Sequence, residues 1–309
     1  MHDVIIIGSG PAGLTAALYC ARFGLKTMIL EKMVAGGQIL LSERIENFPG
    51  FFGGISTQEL IERMKRQIEE LKVGIEIDQA QEIIPEKHLQ SHFFNVRGKY
   101  NSYTASSIII ASGASPRKLN VKGEDKFIGR GVSYCGTCDG PLFKGKEVVV
   151  IGGGNTAIEE ALFLTNYAAK VSIIHRRQQF RAAKILEEKA RANPKINFIL
   201  DSVIDEITGQ DKPEAVVIRN VKTNSTSCFS CQGVFIFVGI EPNTGFVKNL
   251  LNIDESGFIM TDQSLHTSKE GVFACGDCLK KGLYQVINAC GEGALAADSA
   301  HKYLLSRVK

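Results

Sequence analysis

The sequence predicts an α/β fold of two Rossmann-like, dinucleotide-binding domains of three layers each, one inserted in the other. A β-branched run, a glycine-rich loop and a helical segment follow one another twice along the chain, and a similar strand-then-glycine segment flanks the second copy on each side. The length of 309 residues and the hydrophobic share of 44% fit about two globular domains.

The first unit starts almost at residue one. Asp3 to Ile7 is typical of a buried parallel strand, an alanine-rich helix follows from Leu14 to Phe23, and a second strand runs from Lys26 to Leu30. The loop Gly8-Ser9-Gly10-Pro11-Ala12-Gly13 joins the first strand to the helix. We therefore expect a βαβ unit whose helix N-terminus faces a phosphate.

Each glycine of this loop has a separate predicted role. Gly8 makes the tight turn, Gly10 lets the backbone approach a pyrophosphate, and Gly13 packs the helix against the strand. Glu31 ends the second strand, where a carboxylate can accept hydrogen bonds from a ribose with a free 2′-hydroxyl, as in FAD or NAD. The alternative is a tight glycine turn without a ligand, and the matching strand, helix and acid argue against it.

Two further segments precede the second unit. The stretch from Ser56 to Leu71 carries a capping box, Ser56 with Glu59, and apolar residues at helical spacing, so it predicts a packing helix. The stretch from Ser107 to Gly113 is a strand that ends in glycine, and it marks the first crossing between domains.

A pair of cysteines lies between the two glycine-rich units. Cys135 and Cys138 are separated by two residues, so they can close a disulfide at little entropic cost. Their thiolates can exchange with a partner disulfide when a neighbouring charge or flavin favours ionisation. A dithiol between two nucleotide sites predicts an electron relay.

The second unit differs from the first at the end of its second strand. A strand from Glu147 to Ile151 leads through Gly152-Gly153-Gly154-Asn155-Thr156-Ala157 into a helix and a strand from Lys170 to Ile174. His175-Arg176-Arg177 then replaces the acid, and Arg181 follows. Guanidinium groups bind a phosphate that a carboxylate would repel, so charge predicts FAD at the first site and NADPH at the second. The alternative is a solvated basic turn.

The chain then crosses back and ends in a third glycine-containing segment. Val234 to Gly239 is the second strand-then-glycine segment, and Gly271 to Asp277 is a strand that closes on a Gly-Asp turn. A helix of small residues is predicted from about Gly291. Asp277 could bind a flavin ribityl or pyrophosphate, although Gly-Asp is also a common turn pair.

Composition excludes several functional classes. The net charge is +3 and the charges are interspersed, which argues against a nucleic-acid partner. Apolar runs are far shorter than the ~18 residues of a membrane helix. Eight scattered cysteines do not form a secreted disulfide scaffold. These observations predict a cytoplasmic redox protein without a membrane partner.

Taken together, the motifs resemble those of the low-molecular-weight, bacterial-type NADPH-dependent thioredoxin reductases. The resemblance covers essentially the whole chain, and the order and spacing of the motifs are more specific than any one of them. The matching motifs are GSGPAG at Gly8, GGQ at Gly36, ENFPG at Glu46, IIIASGA at Ile108, CGTCDG at Cys135, GGGNTA at Gly152, HRRQQFRA at His175 and ACGD at Ala274.

The resemblance implies a domain organisation and a motion. Residues 1–113 and 242–309 would form a discontinuous FAD-binding domain, and residues 114–241 an NADPH-binding domain that carries the dithiol. It also implies a homodimer and a rotation of one domain against the other, which turns the dithiol from the flavin towards thioredoxin. We expect Gly113 and Gly239 to act as hinges.

The resemblance also implies roles for single residues. Cys138 would lie nearer the flavin, Cys135 would attack the partner disulfide, and Asp139 would protonate a leaving thiolate as general acid, unless Asp139 simply forms an Asp-Gly turn. The remaining flavin positions are Gly37, Gln38, Asn47, Asp277, Gln285 and Val286, and the NADPH positions are Gly154, Asn155, Thr156, His175, Arg176, Arg177 and Arg181. Tyr284 departs from the arginine that many relatives carry there, so contacts near the flavin or nucleotide can differ.

Other functions stay open at this stage. The leading prediction is an NADPH-dependent thioredoxin disulfide reductase. The same scaffold could serve another thioredoxin-like protein, a peroxiredoxin system, a small dithiol or a ferredoxin-type electron source. A third alternative is a zinc-bound or redox-sensing flavoprotein, because Cys228 with Cys231 and Cys275 with Cys278 repeat the CxxC spacing. We expect no metal, since the first pair lies at a predicted hairpin tip and the second at the flavin turn.

Overall fold

The chain folds into two compact units. The computed structural model describes residues 1–42, 44–88 and 91–307. The first unit comprises Met1–Leu40, Phe48–Ser115 and Glu241–Lys309, and the second comprises Leu41–Asn47 and Pro116–Ile240. The second unit is therefore largely an insertion in the chain of the first.

The described residues form seven α-helices and nineteen strands, joined by turns and short 3₁₀ helices. The helices are α1 (Pro11–Arg22), α2 (Thr57–Glu70), α3 (Glu124–Phe127), α4 (Gly136–Asp139), α5 (Asn155–Leu164), α6 (Lys184–Ala192) and α7 (Val286–Ser306). The strands are β1 (His2–Ile7), β2 (Thr27–Glu31), β3 (Arg44–Ile45), β4 (Ile55–Ser56), β5 (Gly74–Ile77), β6 (Ala80–His88), β7 (Ser91–Gly98), β8 (Ser102–Ile110), β9 (Ala114–Pro116), β10 (Val132–Ser133), β11 (Glu147–Gly152), β12 (Lys170–Ile174), β13 (Ile196–Ile199), β14 (Ser202–Thr208), β15 (Ala215–Asn220), β16 (Thr226–Ser230), β17 (Gly233–Phe237), β18 (Ile240–Pro242) and β19 (Val272–Ala274).

The first unit is built on a seven-stranded sheet in the order β5-β2-β1-β8-β7-β6, with β19 also paired to β8. β1 is parallel to both of its neighbours, with Val4 opposite Thr27 on one side and Ser107 on the other. Ile5 and Ile108 are fully buried, because apolar residues pointing to both faces are covered in a central parallel strand. β7 instead pairs antiparallel with both β8 and the edge strand β6.

The second unit has three layers around a parallel sheet in the order β10-β17-β11-β12-β13. Alternate residues of β11 enter different cores, as the two-residue period of a strand requires. Val148 and Val150 pack with Ile158 of α5, whereas Val149 and Ile151 pack with the antiparallel sheet β14-β15-β16. The predicted α/β fold is confirmed.

Several predicted boundaries hold within a few residues. β1, β2, β11 and β12 lie where the β-branched runs predict them. α1 begins at Pro11, three residues before the predicted start, because proline fits the first turn of a helix. The Ser56 half of the capping box is confirmed, since Ser56 accepts the Glu59 N–H over 3.1 Å at the start of α2. Among the described residues the reciprocal bond is absent, because the Glu59 carboxylate accepts from Arg63 instead.

Two predictions about the C-terminal half were wrong. α7 begins at Val286 rather than near Gly291. Glycine is found inside this helix because the helix packs closely on α1: a Cβ at Gly293 would lie 2.2 Å from the Ala12 carbonyl oxygen. Cys228 is not at a hairpin tip. It lies within β16 opposite Val217, because the turn occupies residues 221–225.

The glycines predicted as hinges both have left-handed backbones. Gly113 has φ of 65° and Gly239 has φ of 118°, conformations that favour glycine. The Gly113 carbonyl accepts the Asn243 N–H, and the Gly239 carbonyl accepts the Arg117 N–H, each over 2.9 Å. The hinge role stays a prediction.

Among the described residues, no helix has the length and apolar character needed to cross a membrane.

The closest backbone approach in the first loop generates a stability prediction. A Cβ at Gly13 would lie 1.9 Å from the Gly8 carbonyl oxygen, whereas a Cβ at Gly154 would meet no atom within 4 Å. Gly13→Ala should therefore lower the free energy of unfolding by about 1–3 kcal/mol through overpacking. Gly154→Ala is the matched control and should leave it nearly unchanged. Chemical denaturation measures both, and equal stabilities would contradict the packing argument.

Candidate functional site

Cys135 and Cys138 form a disulfide at the start of α4. Their sulfurs are 2.18 Å apart and their Cα atoms 5.3 Å apart. Cys135 is the N-cap residue, and its sulfur accepts the Cys138 N–H over 3.1 Å. Ser133 fixes the preceding backbone, because its hydroxyl accepts the Cys135 N–H and donates to the Cys135 carbonyl, each over 3.1 Å. Both cysteines are partly exposed, so a partner can reach them.

Asp139 follows the disulfide and is buried. Its side chain is 6% exposed, and its backbone N–H donates to the Cys135 carbonyl over 3.2 Å. It lines a cavity of about 30 Å³ together with Ser133 and Phe143. The structure thus brings the predicted general acid to the dithiol loop, while its role in proton transfer stays a prediction.

A carboxyl group anchors the segment that leads into the dithiol. The Tyr134 hydroxyl donates to Glu124 Oε1 over 2.8 Å, and the same carboxylate accepts the N–H groups of Leu119 and Asn120 over 3.0 and 2.7 Å. Glu124 is 1% exposed. Burial, followed by the hydrogen bond to Glu124, raises the pKa of Tyr134, so this hydroxyl stays protonated and acts as a donor.

A second carboxyl group contacts the residues between the two cysteines. Thr137 donates from Oγ1 to Glu160 Oε1 over 3.2 Å, and Glu160 lies on α5. A Cβ at Gly136 would lie 2.2 Å from Glu160 Oε2, so glycine is required for this approach. Burial raises the pKa of Glu160 above its usual value.

The first glycine loop leaves the N-terminus of α1 uncapped. Gly10 occupies the N-cap position and no side chain caps the helix, so its first N–H groups are available to an anion. Glu31 accepts the Ser9 N–H over 2.9 Å and the Ser9 hydroxyl over 2.6 Å. Gly36 donates to the Ser9 carbonyl over 2.9 Å, which brings Gly37 and Gln38 beside the loop.

Asp277 lies on a second segment that contacts this loop. A Cβ at Gly276 would lie 2.9 Å from the Ala12 Cβ, so the Gly-Asp turn packs against the start of α1. Asp277 Oδ1 is buried without a hydrogen-bond partner in the described part of the chain, and burial raises the pKa of this carboxyl. Lys281 Nζ lies 3.7 Å from Asp277 Oδ1 and also binds Glu292 Oε2.

The other predicted flavin positions are divided between the two units. Gln285 is the N-cap residue of α7 and Val286 its first residue, both in the first unit. Asn47 belongs to the second unit. Tyr284, the predicted departure, accepts the Lys281 N–H over 3.3 Å and packs near Phe258, with ring centroids 6.3 Å apart.

The second glycine loop is closed by the basic segment that follows β12. A Cβ at Gly153 would lie 2.3 Å from His175 Cε1, so the imidazole packs directly on the loop. The Arg181 N–H donates to the Gly153 carbonyl over 2.7 Å, and Asn155 Oδ1 accepts the Ala183 N–H over 2.8 Å. Phe180 stacks on His175, with centroids 5.1 Å apart.

Charge in this segment is concentrated on the arginines. Burial lowers the pKa of His175, and the charges of the arginines lower it further, so the imidazole is neutral at neutral pH. Arg176, Arg177 and Arg181 are exposed, and none of them forms an ion pair with a carboxylate in residues 1–42, 44–88 or 91–307. Three free guanidinium groups beside an uncapped helix N-terminus favour a polyanionic ligand.

Comparison with known proteins agrees with this geometry. The pyridine nucleotide-disulphide oxidoreductase family matches residues 2–293. The thioredoxin reductase of Peptoclostridium litorale is 43% identical over 98% of this chain and 97% of its own, and that of Rickettsia felis is 46% identical over 97% of each. The crystal structure of thioredoxin reductase from Streptococcus pyogenes superposes with a TM-score of 0.91 at 45% identity and covers 99% of both chains.

The chain belongs to the pyridine nucleotide-disulphide oxidoreductase family. Within it, the chain is similar to the bacterial-type thioredoxin reductases over nearly its whole length. The protein is therefore an oxidoreductase, and membership of the family implies a flavin and a pyridine nucleotide as cofactors. The disulfide at Cys135 and Cys138 is the group that this family name leads one to expect.

The expectation that the other two CxxC spacings bind no metal stays a prediction. Cys228 and Cys231 lie in the second unit, whereas Cys275 and Cys278 lie in the first. Burial raises the pKa of Cys231 and of Cys278 to about 12, which disfavours the thiolate that binds zinc. Within the described part of the chain, no three or more metal-binding side chains cluster.

Sequence reasoning missed four charged residues of these sites. The inward position of Glu160 could have been predicted, because it lies three residues after Ala157 and four before Leu164 on a helix whose other inward residues are apolar. No sequence pattern indicated the role of Glu124, since its carboxylate contacts backbone groups of a loop. Lys281 and Glu292 are distant in sequence and meet only through the fold.

The exposure of the cysteines predicts a thiol count. Cys228 is exposed and Cys290 is half-buried, whereas Cys20, Cys231, Cys275 and Cys278 are buried. Burial raises the pKa of Cys290, so this thiol should react more slowly than that of Cys228. Ellman's reagent should therefore find about one rapidly reacting thiol in the oxidised native protein, and two more after dithiothreitol treatment opens the disulfide. Cys228→Ser should remove the first thiol and leave the increase intact. An unchanged count after reduction would contradict a reducible Cys135–Cys138 bond.

Proposed function

We propose that this protein is an NADPH-dependent thioredoxin reductase that uses FAD and the Cys135–Cys138 pair. The observation that carries the proposal is a disulfide in a chain with two glycine-rich loops. An acidic side chain lies beside the first loop, and arginines lie beside the second. Bound FAD would take a hydride from NADPH and pass two electrons to the disulfide. A redox-sensing flavoprotein would carry the same disulfide, so thioredoxin-dependent turnover is what distinguishes the two.

The residues of the first unit fit FAD. The uncapped N-terminus of α1 can hold the pyrophosphate, and Glu31 Oε1 retains capacity to accept a ribose hydroxyl beside its bond from the Met33 N–H. Asp277 Oδ1, buried 3.7 Å from Lys281 Nζ and without a hydrogen bond in the described part of the chain, suits a hydroxyl donor of the flavin side chain. The proposed flavin residues of this unit are Gly8, Ser9, Gly10, Pro11, Ala12, Gly13, Glu31, Gly37, Gln38, Asp277, Gln285 and Val286. Asn47, which belongs to the second unit, stays a separate flavin prediction.

The residues of the second unit fit NADPH better than NADH. A 2′-phosphate adds negative charge where Arg176, Arg177 and Arg181 present guanidinium groups without acidic partners. The neutral His175 ring offers a flat face beside Gly153, and Gly154, Asn155 and Thr156 form the turn into α5. We assign these seven residues, Gly154, Asn155, Thr156, His175, Arg176, Arg177 and Arg181, to NADPH.

In the exchange step, the reduced cysteines act in sequence. The Cys135 thiolate attacks the thioredoxin disulfide, forms a mixed disulfide and releases one thioredoxin sulfur as a thiolate. We assign to Asp139, which directly follows Cys138, the role of giving that thiolate a proton. The Cys138 thiolate then attacks Cys135 and frees the second thioredoxin sulfur, which takes a proton from water. Two electrons and two protons thus pass to thioredoxin.

The partner and the assembly are also part of the proposal. The relatives named above are thioredoxin reductases, which favours thioredoxin over another thioredoxin-like protein, a small dithiol or a ferredoxin-type electron source. A cytoplasmic homodimer with a rotating inserted domain follows from the same resemblance. Gly113 and Gly239 would supply the backbone freedom for this rotation.

The decisive test is NADPH oxidation by the FAD-loaded protein with and without oxidised thioredoxin. We expect turnover that requires thioredoxin and falls at least about a thousandfold in Cys138→Ser, because no intramolecular disulfide can then form. Cys228→Ser is the matched control and should keep full turnover, since this thiol is outside the pair. Flavin reduction without thioredoxin turnover would refute the partner, and an oxidised flavin would refute the NADPH assignment.

The basic segment predicts nucleotide selectivity. Arg177→Gln or Arg181→Gln should raise the KM for NADPH about tenfold to a hundredfold, because a charge-assisted hydrogen bond contributes roughly 1.5–3 kcal/mol. The KM for NADH should change little. Arg219→Gln removes an exposed arginine of the same unit that pairs with Asp205, so it serves as the control. Equal effects on both nucleotides would argue against a 2′-phosphate contact.

A further inference from the structure

The two residues between the redox cysteines contact one carboxylate. Thr137 donates its hydroxyl to Glu160 Oε1 over 3.2 Å, and a Cβ at Gly136 would lie 2.2 Å from Glu160 Oε2, so both residues between the cysteines lie against this side chain. We propose that Glu160 is the positioning residue of the dithiol, which holds the loop between Cys135 and Cys138 and sets the pH at which the reduced thiols ionise. This deepens the proposed function and rests on the dithiol assignment alone.

The local sequence is adapted to this contact. A Cβ at Gly136 would lie 2.2 Å from Glu160 Oε2 and 3.5 Å from its Cβ, so any larger residue would displace the carboxylate. On α5, Glu160 is flanked by the fully buried Ala161 and lies one turn before the fully buried Leu164. The helix that begins at the second glycine loop therefore carries this acid to the dithiol, and a shift of α5 would move it.

The carboxyl group is held in an environment that disfavours its charge. Burial raises the pKa of Glu160, hydrogen bonds from Thr137 and Gly136 oppose the rise, and the negative charge of Glu159 adds to it. The one charge that adds to this rise is that of Glu159, its neighbour on α5. Gly136 and Thr137, which contact the carboxylate, lie directly between Cys135 and Cys138, so the two thiols of the reduced protein flank the contact on α4 and at its N-cap. A thiolate and a carboxylate repel each other, so ionisation of one opposes ionisation of the other.

Reduction of the disulfide must therefore be coupled to protons at this site. Breaking the bond between the sulfurs consumes two electrons, supplied by the proposed flavin or by dithiothreitol in vitro, and leaves two sulfur atoms that can each bind a proton. A thiolate beside the Glu160 carboxylate is repelled, so one of the two groups takes up a proton. Removing the carboxylate charge should then allow the thiolate to persist at lower pH.

The test is the pH dependence of alkylation of the reduced, full-length protein. Wild type, Glu160→Gln and Glu159→Gln are reduced with dithiothreitol and exposed briefly to iodoacetamide from about pH 5 to pH 10, a range that spans the usual thiol pKa. Mass spectrometry of the peptide that contains both cysteines reports the midpoint without interference from Cys228. Glutamine retains an acceptor oxygen for Thr137, so Glu160→Gln changes the charge while the hydrogen bond can stay.

We expect the midpoint to fall by about one pH unit in Glu160→Gln, a roughly tenfold gain in thiolate below the midpoint, as a nearby like charge requires. Glu159→Gln removes the charge of the neighbouring, exposed residue and should shift the midpoint far less. Glu160→Asp moves the charge away from the dithiol by one methylene, so the midpoint of this variant should also fall, but by less than in Glu160→Gln. This variant provides the test if the glutamine variant fails to fold.

An unchanged midpoint in Glu160→Gln, or in Glu160→Asp if only that variant folds, would overturn the proposal. Equal shifts in Glu160→Gln and Glu159→Gln would also overturn it, because they would indicate a general effect of net charge. The assay uses no NADPH and no thioredoxin. Its failure is therefore distinguishable from a failure of the proposed function, which the turnover experiment reports.

Discussion

The parallel pairing of strands determines where everything else in this protein can lie. In the first unit β1 is hydrogen-bonded between β2 and β8, and β19 pairs with β8. The carboxyl ends of parallel strands meet at one edge of a sheet, so Gly8, Glu31 and the Gly276-Asp277 turn meet there although they are far apart in sequence. The isoleucines of β1 and β8 are buried on both faces of the sheet, which places this edge over a packed core.

The second unit repeats the constraint with different chemistry. β11 lies between β12 and β17, and the glycine loop after β11 again faces the residue that ends the neighbouring strand. In the first unit that residue is Glu31, which accepts two hydrogen bonds from Ser9. In the second it is His175, kept neutral by burial and followed by exposed arginines. One backbone arrangement therefore offers an acceptor at one site and cations at the other, and side-chain charge selects the ligand.

Three carboxyl groups contact or belong to the segment that carries the dithiol. Glu124 anchors Tyr134, Glu160 holds Thr137, and Asp139 is buried directly after the disulfide. Reactive thiols are often activated by nearby lysine, arginine or histidine, which stabilise the thiolate. Acidic neighbours have the opposite effect, so they couple electron transfer at Cys135 and Cys138 to proton uptake. The short helix α4 and its contact with α5 make that coupling a property of the local fold.

The sequence by itself determined the elements and chemistry that depend on residues close together in the chain. The βαβ units, the helix cap at Ser56 and the CxxC pair were predictable because glycine loops, helix caps and short cysteine spacings are local patterns. Tertiary structure alone decided what depends on distant residues. Gly293 continues α7 because that helix packs closely on Ala12, and Lys281 meets Glu292 across a turn. Glu160 reaches the dithiol only because α5 packs against α4, and such packing follows from the shape of the whole core rather than from any local pattern.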